Sequence, residues 1–216
     1  MGNNLGMLIL ASGSPRRREL LTQAGYRFEV RAAEIDESLR VGERPVEYVT
    51  RLAREKAEVV YALATSPVGG VGGGLLQGPA AEVVVLGADT SVVVDGRILG
   101  KPQDADDAAR MLRMLSGRGH EVITGVAVVS EGRAEVVSEV TVVEFLPVSE
   151  AEIAAYVASG EPMDKAGAYG IQGRAARWIP RIEGCYFNVV GLPVARVATM
   201  LDGVGMRTMD WEQAAG

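Results

Sequence analysis

Apolar runs of strand length alternate along the chain with segments whose apolar residues recur at helical spacing. "MLILA" (Met7 to Ala11) is a continuous apolar run, and Ser14-Pro15 after it supplies an N-cap followed by a first helical residue. Leu20, Leu21 and Ala24 form the inner face of that helix, and Gly25 closes it. A longer helix is predicted from about Pro45 to Ala64, because Val49, Leu52, Ala53, Val60 and Leu63 share one stripe at about 100° per residue. Lys56 interrupts the stripe in its middle.

"EVVVLGADTSVVVDGRIL" predicts an apolar strand ending at Asp89, then a second run that turns at Asp95-Gly96, a strong hairpin signal. Asp104 caps a helix with inner face Ala108, Met111, Leu112 and Leu115, stopped at Gly117. Two β runs follow, "HEVITGVAVVS" and "AEVVSEVTVVEFL", joined through Glu131-Gly132. Ser149 and Glu152 form a capping box that opens another helix. The last third adds a polar loop, "DKAGAYGIQG", a strand-like "CYFNVV", and a helix from Leu192 to about Asp202. βα units mixed with hairpins indicate an α/β fold with a mixed, twisted central sheet and flanking helices. No internal repeat is visible, and the glycine-rich tract "SPVGGVGGGLLQGPA" (Ser66 to Ala80) reads as a loop insertion.

Composition narrows the class. With 48% hydrophobic and 23% charged residues, the chain can bury a core rather than remain disordered. A net charge of −6 gives no global field to attract nucleic-acid polymers or anionic membranes, so an anionic ligand needs a local basic cluster. The one cysteine, Cys185, excludes an internal disulfide framework, and one cysteine with one histidine cannot build a Cys/His zinc site. Neither a signal peptide nor a membrane span is expected, and the protein is expected in the cytoplasm.

Three local rules are broken. Arg16, Arg17 and Arg18 load cations onto the first turn of a helix, where the backbone already presents unpaired N–H groups and partial positive charge. A bound anion held by Arg16 and Arg17 would compensate, with Arg18 solvated or paired; a simply solvated basic face is the alternative. Lys56 on an apolar stripe must snorkel, find a carboxylate or line a polar cleft. Asp89 follows a buried run, where a carboxylate either meets a ligand or caps a turn. Lys101 in "GKP" could return toward Asp89, and Glu37 in "EIDE" lies on a loop after the first βα unit. Carboxylates suit a divalent ion and activation of water, and Arg and Lys suit phosphate charge, so the set suggests phosphoryl or nucleotidyl chemistry. There is no G-x-S-x-G, and His120 in "HEVIT" is not part of H-E-x-x-H, so it reads as structural.

"LASGSPRRRELL", "EIDE", "LAREKA", "LGADT", "GKP", "HEVITGV", "TVVEF", "DKAGAYGIQG" and "NVVGLP" occur in the order found in one family. Through them the chain resembles the Maf, or septum-formation-inhibitor-like, nucleoside triphosphate pyrophosphatases. The resemblance implies a single domain over residues 7–202, with two lobes around a nucleotide cleft, related to the inosine-triphosphate pyrophosphatase architecture and expected as a homodimer. It implies hydrolysis of a nucleoside triphosphate to the monophosphate and pyrophosphate, by attack at the α-phosphorus with a divalent cation (Mg, Mn or Co). Asp89 would be the proton acceptor and, with Glu37, hold the metal. Ser12, Arg16, Arg17, Lys56 and Lys101 would bind the triphosphate. Arg16, Thr90 and Gln172 occupy the positions that mark the dTTP/UTP branch. A nucleotide-binding regulator of cell division and a pyrophosphatase for modified or purine nucleotides are the competing readings.

Overall fold

The structure is a computed structural model that describes residues 6–66 and 82–208. The glycine-rich tract expected as a loop insertion lies almost wholly outside them. The elements are, in chain order, β1 (Met7–Ala11), α1 (Pro15–Gln23), β2 (Glu29–Val30), α2 (Pro45–Thr65), β3 (Val83–Val94), β4 (Arg97–Leu99) and α3 (Ala105–Leu115). After these come β5 (Gly119–Ser130), β6 (Arg133–Glu144), α4 (Glu150–Ala158), β7 (Arg181–Glu183), α5 (Tyr186–Val190) and α6 (Val194–Asp202), with short 3-10 turns between Glu161 and Trp178.

Strands run in the order β2-β1-β3-β5-β6-β7, with β4 pairing β3. β1 is parallel to β2 and β3, and the remaining pairs are antiparallel, so the sheet is mixed as the pattern predicts. Asp95 and Gly96 both take positive φ (51° and 73°), the geometry of a tight two-residue hairpin. Among the described residues no helix is long and apolar enough to cross a membrane.

Two expectations are corrected. Asp89 does not end its strand: β3 continues to Val94 because β5 pairs with it throughout, from Val85 to Val93. On its other edge, β1 pairs only Val83 to Gly87 and β4 only Val92 to Val94. Asp89 and Thr90 thus sit in a gap between two partners, where β3 is open along one edge. "CYFNVV" is not a strand but the N-cap and body of the short helix α5, a short apolar run whose periodicity does not separate the two states.

α2 covers one face of the sheet, burying Ala53, Ala57 and Val60 against Ile9, Val85, Ala127 and Val129, and Val49 against Val93 and Ile123. Leu63, expected on the same stripe, is 63% exposed. Two glycines let the helix lie this close. A Cβ on Gly87 would come within 2.2 Å of the Ala53 carbonyl oxygen, and one on Gly125 within 2.3 Å of that of Val49. The opposite face carries two separate cores. One joins Leu86 and Ala88 to α1 and α6. The other joins Val92 and Val94 to α3, α4 and the Tyr169 region. Thr90 falls at their boundary.

Candidate active site

A cavity of about 960 Å³ opens at the gap in the β3 edge, and all nine sequence-predicted site residues line it. Asp89 points toward α2, on the same face of β3 as Gly87. Lys56 meets it there: Lys56 Nζ lies 2.7 Å from Asp89 Oδ1 and 2.7 Å from Glu37 Oε1. The lysine that interrupts the apolar stripe therefore both finds carboxylates and lines a polar cleft, and two carboxylates converge on one ammonium. Asp89 and Lys56 are nearly sequestered, at 13% and 12% side-chain exposure, while Glu37 is 57% exposed.

The three arginines separate. Arg18 is exposed, and Arg16 sits at the cavity mouth with a 3.4 Å ion pair to Asp164. Arg17 is buried and braces the site. Its Nε donates to Gly191 O (2.8 Å), Nη1 to Ala88 O (2.8 Å) and Ser12 Oγ (3.1 Å), and Nη2 to Thr90 Oγ1 (2.9 Å). Ala88 O is a carbonyl at the gap in the β3 edge, so Arg17 replaces the missing strand partner. Four of its five N–H groups are thus used, and the fifth has no acceptor among the described residues. Burial pushes the guanidinium below its ordinary pKa, opposed by Asp89. Thr90 Oγ1 also shares a 2.9 Å hydrogen bond with Thr124 Oγ1. Lys101 and Gln172 are exposed side chains on the cavity wall.

The sequence profile of the family described as Maf-like protein matches residues 7–204. The chain belongs to the Maf family. Its relatives include a protein of Chromobacterium violaceum, 51% identical over 205 residues that cover 95% of this chain and 98% of the relative. One from Symbiobacterium thermophilum is 52% identical over 198 residues (92% and 94%). One from Vibrio cholerae is 49% identical over 197 residues (91% and 97%). Each of the three is named dTTP/UTP pyrophosphatase.

In this Maf chain two residues outside the sequence-predicted set, Tyr48 and Arg51, hold the Glu37 segment in place. Glu37 lies in an irregular segment between β2 and α2, and α2 grips that segment. Tyr48 Oη donates to Glu37 O (2.9 Å), and Arg51 Nη2 donates to Ser38 O (3.0 Å). Arg51 also forms a two-point ion pair with Glu43 (2.6 and 2.9 Å), which holds the Glu43 carboxyl down at about 2. Burial, then Asp89 and Glu37, push the Tyr48 phenol up. Arg51 could have been found from its spacing: it falls beside the apolar stripe, one turn before Glu55, to which it donates at 3.2 Å.

Among the described residues no group of three or more His, Cys, Asp or Glu side chains gathers to cage a metal ion. The donor set nonetheless fits a magnesium-type ion. Glu37 and Asp89 already converge on one cation, the Lys56 ammonium, and such ions take one or two carboxylates and complete their shell with phosphate oxygens and water.

Proposed function

We propose that this Maf-family chain hydrolyses nucleoside triphosphates, dTTP and UTP in particular, to the monophosphate and pyrophosphate. The observation that carries this reading is the juxtaposition of a carboxylate pair with a cluster of cations in one cavity. Asp89 Oδ1 is held by Lys56, and its second oxygen has no protein partner among the described residues. That oxygen accepts the proton of the attacking water, so water adds to the α-phosphorus and the bond to the bridging oxygen of the leaving pyrophosphate breaks. Glu37 and Asp89 would hold a divalent cation, Mg, Mn or Co, which supplies positive charge at the reacting phosphate and acidifies bound water.

Arg16, Lys101 and the free N–H of Arg17 take the phosphates, and Lys56 neutralises charge beside the carboxylates. Arg17 fixes both Ser12, in the turn after β1, and Thr90, on the open edge of β3; Ser12 meets the triphosphate, and Thr90 with Arg16 and Gln172 sets the base preference. Gln172 reads the base, because one amide can both donate to and accept from the mixed edge of uracil or thymine. The α1–α6 and α3–α4 layers form the two lobes of the residue 7–202 domain that flank the nucleotide. A homodimer in the cytoplasm completes the proposal; the lone cysteine supports a reducing compartment. A purely regulatory nucleotide binder would have less use for two carboxylates beside a polyphosphate.

The test is turnover of dTTP, UTP, CTP, GTP and 7-methyl-GTP in water enriched in oxygen-18. Pyrophosphate release with the label in the monophosphate is expected. Orthophosphate release, or label in the pyrophosphate, would sink attack at the α-phosphorus.

A further inference from the structure

His120 lies outside the cavity lining and is buried at 3% exposure, yet it is tied to the wall of the site. Its Nε2 and the hydroxyl of Tyr169 share a 2.7 Å hydrogen bond, and the two rings pack edge to face with Phe145. Tyr169 lines the cavity three residues before Gln172.

The loop that carries both residues is held away from its relaxed conformation. Gly167 and Ala168 take consecutive left-handed φ values of 68° and 59°, the second at a residue with a Cβ. Such a turn persists only when its surroundings fix it. Gly167 N donates to Gly100 O at 3.0 Å, beside Lys101, and a Cβ on Gly167 would collide with Val92. Gly170 N donates to Tyr156 Oη (3.3 Å), and Tyr156 Oη donates to Glu161 Oε1 (3.0 Å). The same carboxylate oxygen accepts from Arg174 N at 3.0 Å. Backbone clamps thus hold the loop on both sides of Gln172, and the His120–Tyr169 bond is its buried side-chain tether.

We propose that His120 is a positioning residue for base selection, acting through Tyr169 to fix the loop that presents Gln172 to the nucleotide base. This rests on the reading of Gln172 as the base-contacting residue. A tether of this kind turns the conformation of a solvent-facing amide into a property of the core, and an amide that stays put discriminates between bases better than one that can rotate away.

The test compares kcat/KM for dTTP with that for CTP, a ratio that is independent of the fraction of enzyme folded. Tyr169→Phe and His120→Leu break the same bond from opposite ends while keeping apolar bulk. Each is expected to lower the dTTP preference about tenfold, the loss of one well-placed hydrogen bond to the base, and the double variant to lose no more than either alone. With Gln172→Ala already in place, neither change is expected to move the ratio. If Gln172→Ala itself leaves the preference intact, the base-reading assignment fails and this inference with it. If Gln172→Ala abolishes the preference while Tyr169→Phe and His120→Leu preserve it, the assignment stands and the tether is refuted. A further drop for Tyr169→Phe on the Gln172→Ala background would also refute it, because Tyr169 would then contact the base directly.

Discussion

Gly87→Ala adds one methyl group at a position outside the cavity lining, and its effect should appear in the chemistry. The added Cβ would stand 2.2 Å from the Ala53 carbonyl oxygen and 3.0 Å from both N and Cβ of Ala57. The nearest neighbour is helix backbone and cannot swing aside, so α2 must retreat by about 1 Å to restore even a tight van der Waals contact. Lys56 lies between Ala53 and Ala57 on that helix, and its 2.7 Å contact with Asp89 would stretch beyond ordinary hydrogen-bond length. Overpacking of this kind costs about 1–3 kcal/mol of stability, and a displacement of about 1 Å in a catalytic constellation can cost about 100-fold in rate. The assay pairs a thermal melt with the initial rate of pyrophosphate release from dTTP. Gly119→Ala on β5 is the control, since its Cβ would meet only Val142 Cγ1 at an ordinary 3.8 Å. A Gly87→Ala enzyme that melts lower but turns over at the full rate would refute the claim that helix height sets the Lys56–Asp89 contact.

Asp89→Asn should lower kcat by about 10²–10⁴-fold with nucleotide binding retained in calorimetry, and full turnover would remove Asp89 from the role of base. Arg17→Met should cost about 2–4 kcal/mol in chemical denaturation, since it strands Ala88 O and Gly191 O without their donor; an unchanged midpoint would count against the brace. Stability should also depend on pH through His120, the only histidine in the chain, which burial pushes down to about 4 from 6.5. Between those values the unfolded chain holds a proton that the folded chain refuses, so acidification through this window removes stability: about 2 kcal/mol between about pH 7 and pH 5, and about 3 kcal/mol in full. Urea midpoints at the two pH values check this, and His120→Leu should flatten the difference.

Much of the fold was legible because its signals are local. The Asp95-Gly96 hairpin, the Ser149 capping box, the Asp104 cap and the α2 stripe each depend on residues within a few positions of one another. Where the reading failed, the deciding fact was distant. β3 continues past Asp89 because β5, more than thirty residues later, pairs with it on one side. Its other edge is open because β1 is too short to reach Ala88 and β4 starts beyond it. Short apolar runs such as "CYFNVV" carry no period of their own, so their state is set by packing.

The site was legible as a set of broken rules, and the structure changes what the breaks mean. A lysine on an apolar stripe and an aspartate in a buried run each looked like a local anomaly; they are two halves of one contact, brought to 2.7 Å because Gly87 and Gly125 let a helix lie on the sheet. The arginine cluster likewise resolves by depth. Arg16 remains at the mouth, half-tied to an exposed Asp164, where a phosphate can displace the carboxylate at little cost. Arg17 is committed to four protein acceptors, two of them carbonyls and two of them hydroxyls on residues that face the cavity. Its replacement should therefore weaken the fold and the chemistry together, whereas loss of Arg16 should raise KM and leave the melting temperature where it is. Substitutions at adjacent positions in one motif thus impair activity alike but differ in what they do to stability. That division follows from a missing strand partner at Ala88, which no pattern within "SPRRR" could announce.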